Sequence, residues 1–187
     1  MCRKKCSTSL FLLIAALCGG ALGCSGGLDT FDITEVATAK VPAGSVVEQL
    51  IADIGFGDAF LKMNVRDSEA FQNQGIEEDQ IDSVRLASFE FRIVDPPSGQ
   101  DFTFLDSLAF HASSEGLESK RIAHGGPFTT GANAVSMTVD GVELQPYVVA
   151  KSMDITTEAT GKRPKQETTI EATMVLRVDF NVSGILF

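Results

Sequence analysis

Two periodicities compete along this chain, and the shorter one wins. Ile170, Ala172, Met174, Leu176, Val178, Phe180 and Val182 are all apolar. Thr169, Glu171, Thr173, Arg177 and Asp179 fill the other parity, with Val175 the exception. A period of two predicts a strand with one face in a core and one in water. Before it, Met153, Ile155 and Ala159 alternate with Asp154, Thr156 and Glu158, which predicts a hairpin whose loop is Gly161-Lys162-Arg163-Pro164-Lys165-Gln166. Residues 83–94 read the same way: Ala87, Phe89, Phe91 and Ile93 lie on one face. Val84 and Leu86 are in the opposite phase, so a bulge is expected near Leu86.

Shorter runs add further strands over residues 31–39, 62–65, 108–112, 120–123 and 135–139. Ser114-Glu115-Gly116 and Asp140-Gly141 are turn signals, and Leu144-Gln145-Pro146-Tyr147 reads as an irregular crossing. Helical spacing occurs once, at Val46, Val47, Leu50, Ile51 and Ile54, with Ser45 as N-cap. About eight strands and one short helix predict an all-β antiparallel sandwich, immunoglobulin-like or a Greek-key relative. A closed barrel is the rival, which strand count cannot separate from a sandwich.

The first 24 residues follow a different rule. Arg3, Lys4 and Lys5 precede an apolar run from Leu10 to Leu22. That run has the length of an export-signal core and is shorter than the ~20 residues of a membrane-spanning helix. The segment Ala21-Leu22-Gly23-Cys24 resembles a bacterial lipobox. The resemblance implies removal of residues 1–23, a lipid on Cys24 with palmitate-type acyl chains, a tether over residues 24–30, and a domain over residues 31–187. Ala21-Leu22-Gly23 also fits the small-x-small site of ordinary secretion. Cysteine usage separates the two: Cys2, Cys6, Cys18 and Cys24 all lie at or before the cut. A lone exported thiol has no disulfide partner, and acylation removes its reactivity. Ser25 after the cysteine, where there is no Asp, resembles the pattern sorted to the outer membrane in a Gram-negative host.

Composition narrows the partners. The chain carries 15 basic and 25 acidic residues, net −10; without residues 1–23 the balance is 12 to 25, net −13. Such a domain is repelled by nucleic acid and by anionic headgroups. Trp is absent and Tyr147 is the single tyrosine among 13 Phe, which favours core filling over a sugar-stacking surface.

Candidate chemistry is sparse. Only His111 and His124 offer imidazoles. His111 falls on the polar face of its strand, and His124 sits in a turn before Gly125-Gly126. No zinc-type spacing, nucleophile elbow or phosphate-binding glycine loop is present. Glu77-Glu78-Asp79 with Asp82 lacks EF-hand spacing, and Asp101 with Asp106 has no pocket assigned to it. Lys162, Arg163 and Lys165 stand out in an acidic chain; they read as a solubilised hairpin tip or as a dock for an acidic partner or phosphate.

The expectation is a non-catalytic, lipid-anchored envelope protein. It needs no metal or cofactor; its partners are the membrane, through Cys24, and an envelope protein. The competing expectation is a small apolar-ligand carrier or hydrolase accessory, with a pocket behind residues 46–60.

Overall fold

The terminal alternating run becomes the central strand of the molecule. The computed structural model describes residues 29–44, 68–150 and 153–181. Within them the strands are β1 (Thr30–Val41), β2 (Ile81–Asp95), β3 (Leu105–Ser114), β4 (Leu117–Gly125), β5 (Ala134–Ser136), β6 (Thr138–Val139), β7 (Asp154–Gly161) and β8 (Thr168–Phe180). One sheet has the order β1-β8-β2-β5 and the other β6-β4-β3-β7. Two separate antiparallel sheets make a sandwich, as expected, and not a closed barrel. The first strand lies beside the last, and β3 beside β7. This nested pairing is the wrapping of Greek-key and jelly-roll sandwiches, and it differs from the immunoglobulin order, where the first strand does not pair with the last.

The faces follow the sequence pattern. On β8 every even position from Thr168 to Phe180 is buried. On β1, Ile33, Ala37, Ala39 and Val41 are buried. The expected bulge is present: on β2 the pairing with β8 shifts between Leu86 and Ser88. The extra residue is Ala87, which is exposed. The expectation that Ala87 shares the face of Phe89 is therefore corrected. The bulge turns the strand by one residue, so Val84 and Leu86 before it face the same core as Phe89, Phe91 and Ile93 after it.

Phe89, Phe91 and Phe110 meet between the sheets, with centroids 4.6 Å (Phe89–Phe110) and 5.2 Å (Phe91–Phe110) apart. Two single-turn helices close the sandwich. In α1 (Glu69–Gln72), capped by Ser68, Phe71 is buried against Phe31, 6.1 Å away. In α2 (Gln145–Val148), Tyr147 and Val148 are buried, as is Leu144 before it. The Tyr147 hydroxyl donates to the Glu118 carbonyl at 2.6 Å, and the Leu144 amide donates to the Val84 carbonyl at 2.8 Å.

Two expectations about the strands are corrected. β7 and β8 do not form a hairpin: β7 pairs with β3, and β8 with β1 and β2. Their connection is an arch between sheets. The alternating run 135–139 is likewise two strands in different sheets, crossing at the buried Met137, whose amide donates to the Phe89 carbonyl at 2.8 Å. Alternation records which side of a strand is buried and carries no information about which sheet it joins. The expected helix near residues 46–54, the strand at 62–65, the lipobox and Val182 lie outside the described residues. No helix among the described residues is long and apolar enough to cross a membrane.

Candidate functional site

The arch joining β7 to β8 carries Lys162, Arg163 and Lys165, all exposed. Its backbone is held from several sides. At Gly161 φ is +143°, and a Cβ there would run into the Phe104 carbonyl and lie 2.8 Å from Leu105 Cα. Only glycine permits this approach. It lets the Lys162 amide donate to the Phe104 carbonyl at 2.7 Å. Pro164 is buried, and its carbonyl accepts from the Gly44 amide at 3.1 Å. Gly44 lies against the Arg163 stem: a Cβ there would sit 2.5 Å from Arg163 Cβ. At the far foot, the fully buried Thr168 donates its hydroxyl to the Gln166 carbonyl at 2.9 Å.

Opposite the arch stands a 3-10 turn, Phe102–Phe104, that buries both phenylalanines. Asp101 caps it. Its carboxylate accepts from the Thr103 amide at 3.0 Å, from the Thr103 hydroxyl, and from the Gly131 amide at 2.7 Å. Those bonds, the Thr103 hydroxyl's foremost, and the charge of Lys165 hold its carboxyl below the usual range, against a smaller effect of burial. Between arch and turn lies a groove of about 320 Å³, onto which Lys162, Arg163, Lys165, Gln100, Asp101 and Thr103 open. Among the described lining residues, three cations face one carboxylate, a balance of +2. Among the described residues none of the three cations makes an ion pair.

The two histidines are elsewhere and apart. His111 lies on the outer face of β3, between Arg121 of β4 and Thr156 of β7. His124 Nδ1 lies 3.1 Å from Asp140 Oδ1, beside an open depression that Thr129, Ser136 and Thr138 also line. A His–Asp pair is half of a nucleophile-activating arrangement. Two features distinguish it from that arrangement. Arg121 grips the same carboxylate through two bonds, 2.9 and 3.3 Å, which offsets the charge an imidazolium would need. Among the described residues no hydroxyl hydrogen-bonds to His124. The Arg121 hydrogen bond comes first among the causes that hold the Asp140 carboxyl low, followed by opposing burial and the contact with His124.

Glu143 escaped the sequence reading altogether. It accepts from the Val84 amide at 2.8 Å, the Gln145 amide at 3.1 Å, the Ser83 hydroxyl at 2.8 Å and Arg85 at 3.3 Å. It ties the segment entering α2 to β2. The acidic stretch at 77–82 is likewise local structure: Glu77 and Gln80 cap their own 3-10 turn, the Gln80 side chain accepting from the Glu77 amide at 2.8 Å. Asp106 is exposed at the start of β3, on a different element from Asp101. Among the described residues no three potential metal ligands gather. Cys24 and the expected pocket behind residues 46–60 lie outside the described residues.

No protein-family model matches this chain, and no curated protein matches it in sequence. Among the solved structures similar in outline are two of one capsid protein. The 60-mer crystal structure of the BFDV capsid protein shares 15% identity, with 81% of this chain and 92% of that one covered and a TM-score of 0.45. The decameric crystal structure of the BFDV capsid protein gives 14%, 81%, 98% and 0.46. At such scores the likeness assigns no function to this chain.

Proposed function

We propose that this chain is a lipid-anchored bacterial envelope protein whose β-sandwich is a non-catalytic binding domain. The observation that carries the reading is Ala21-Leu22-Gly23-Cys24, with every cysteine of the chain at or before it. Acyl chains on one residue hold a protein at a bilayer at roughly 0.8 kcal/mol per buried methylene. β1 begins at Thr30, six residues past Cys24, so the domain stands on a short tether. In a Gram-negative host Ser25 directs it to the outer membrane. The engagement of Asp140 by Arg121, and of Glu143 by Val84, Ser83 and Gln145, is consistent with a non-catalytic domain.

Intact mass of the protein purified from membranes tests the reading. The expected result is a chain starting at Cys24 and carrying diacylglycerol and an N-acyl group. A processed chain with an unmodified Cys24 overturns it.

A further inference from the structure

We propose that the groove beneath the β7–β8 arch binds a phosphate-bearing ligand through Lys162, Arg163 and Lys165. The proposal rests on the binding half of the reading above; only the preference for a soluble source over a headgroup also uses the proposed anchor.

Solubility does not account for these cations, because a chain at net −10 has charge to spare. A solubilising tip would project from a free loop. Here the loop backbone is hydrogen-bonded at Lys162 and Pro164, and Pro164 is buried. The three side chains line one groove with a wall of fixed geometry. Its volume, about 320 Å³, suits one compact group and lies near the small end of ligand sites, roughly 300–1,000 Å³. Asp101, held in place by Thr103 and Gly131, offsets only one of the three positive charges. The remaining +2 matches a phosphate monoester, which carries about −1.5 to −2 at neutral pH, better than a single carboxylate. Arg163 offers a planar fork for two phosphate oxygens, and the lysines offer point charges.

The groove's position also favours a soluble source. β1 carries the chain about 37 Å from Thr30 to Val41, at ~3.4 Å per residue, and Gly44 beside the groove follows at its far end. The groove therefore lies at the end of β1 opposite Thr30, the end nearer in sequence to the proposed anchor.

The test titrates the full chain at low salt with inorganic phosphate and with glycerol 3-phosphate, followed by calorimetry. A parallel arm measures sedimentation of the Cys24→Ser chain with phosphatidylglycerol vesicles, so that acyl insertion is not read as headgroup binding. The expected result is one saturable site for the soluble phosphates. Affinity falls at least tenfold in the combined Lys162→Gln, Arg163→Gln, Lys165→Gln variant, and stays unchanged in Lys120→Gln, an exposed lysine on β4. Vesicle binding abolished by the combined variant, with no soluble binding, keeps the phosphate chemistry and assigns it to lipid headgroups. Absence of saturable binding in both arms, or equal affinity in wild type and combined variant, overturns the proposal. Should the combined variant not fold, Lys162→Gln and Lys165→Gln alone are each expected to weaken binding about threefold, and unchanged affinity in both overturns it equally.

Discussion

Phe89 on β2 and Phe110 on β3 hold their ring centroids 4.6 Å apart, one from each sheet. Both side chains are essentially without solvent contact. This contact, with Phe91 stacked on Phe110, is where the two layers meet. Phe110→Ala leaves a cavity that rigid strands on both sides cannot close, and is expected to cost about 3–5 kcal/mol in urea denaturation. Phe110→Leu keeps most of the volume and should cost clearly less.

Leu176 and Glu171 lie on opposite faces of β8. Leu176→Asp puts an unpaired charge among fully buried side chains and should abolish cooperative melting. Glu171→Lys changes the outer face, where Arg92 sits directly opposite, so its cost should stay within about 1 kcal/mol. Comparable losses from the two changes in thermal melts would invert the assignment of faces.

Gly116 and Gly161 both have positive φ but differ in surroundings. Ala at Gly116, in the β3–β4 turn with open space around it, carries only backbone strain, about 1–2 kcal/mol. Ala at Gly161 adds a collision with the Phe104 carbonyl and Leu105. It should be the more destabilising of the two by denaturant midpoint, and it should also disturb the arch.

Besides Asp101, three carboxyls among the described residues titrate below their ordinary values in the folded chain. Asp32 is lowered first by its hydrogen bonds from Arg177, both 2.9 Å. Asp140 is lowered first by those from Arg121. At Glu143 burial is the largest influence and pushes upward, but the amides of Val84 and Gln145, the Ser83 hydroxyl and Arg85 together outweigh it. A carboxyl held low binds its proton more readily when unfolded, so each adds stability above about pH 4 to 4.5 that is lost as pH falls through the folded value. Melting temperature should therefore fall as pH drops below about 5. Glu143→Gln should be less stable at pH 7 and show a shallower acid dependence in melts across that range. Identical slopes for wild type and variant would show that Glu143 does not contribute.

Cys24→Ser should release the protein from membranes into the salt-wash supernatant, since no other lipid-bearing residue is proposed. Retention of the variant in the membrane pellet after high salt would show a different means of attachment.

Much of the layering was legible beforehand because burial alternates along a strand. The even face of β8, the phase break at Leu86 and the turn at Gly116 each leave a local mark. Phe71 shows the limit: it sits in a polar, acidic stretch, and it is buried against Phe31 from β1. Asp140 and Glu143 show the same limit for polar groups, since their partners Arg121, Val84 and Ser83 are remote in sequence. The three cations were visible as an anomaly of charge. Their common groove was not, because its other wall is built from residues 99–104.

What the amino-acid order determined by itself is local: strand periodicity, turns, the acidic balance and the Cys24 motif all arise from neighbours a few bonds apart. What only the tertiary structure decided is long-range: that β7 and β8 part into different sheets, that α2 closes one end, and that an acid-rich chain gathers three cations along one groove. These depend on which hydrophobic faces bury one another, a competition among distant segments that no short window of sequence contains.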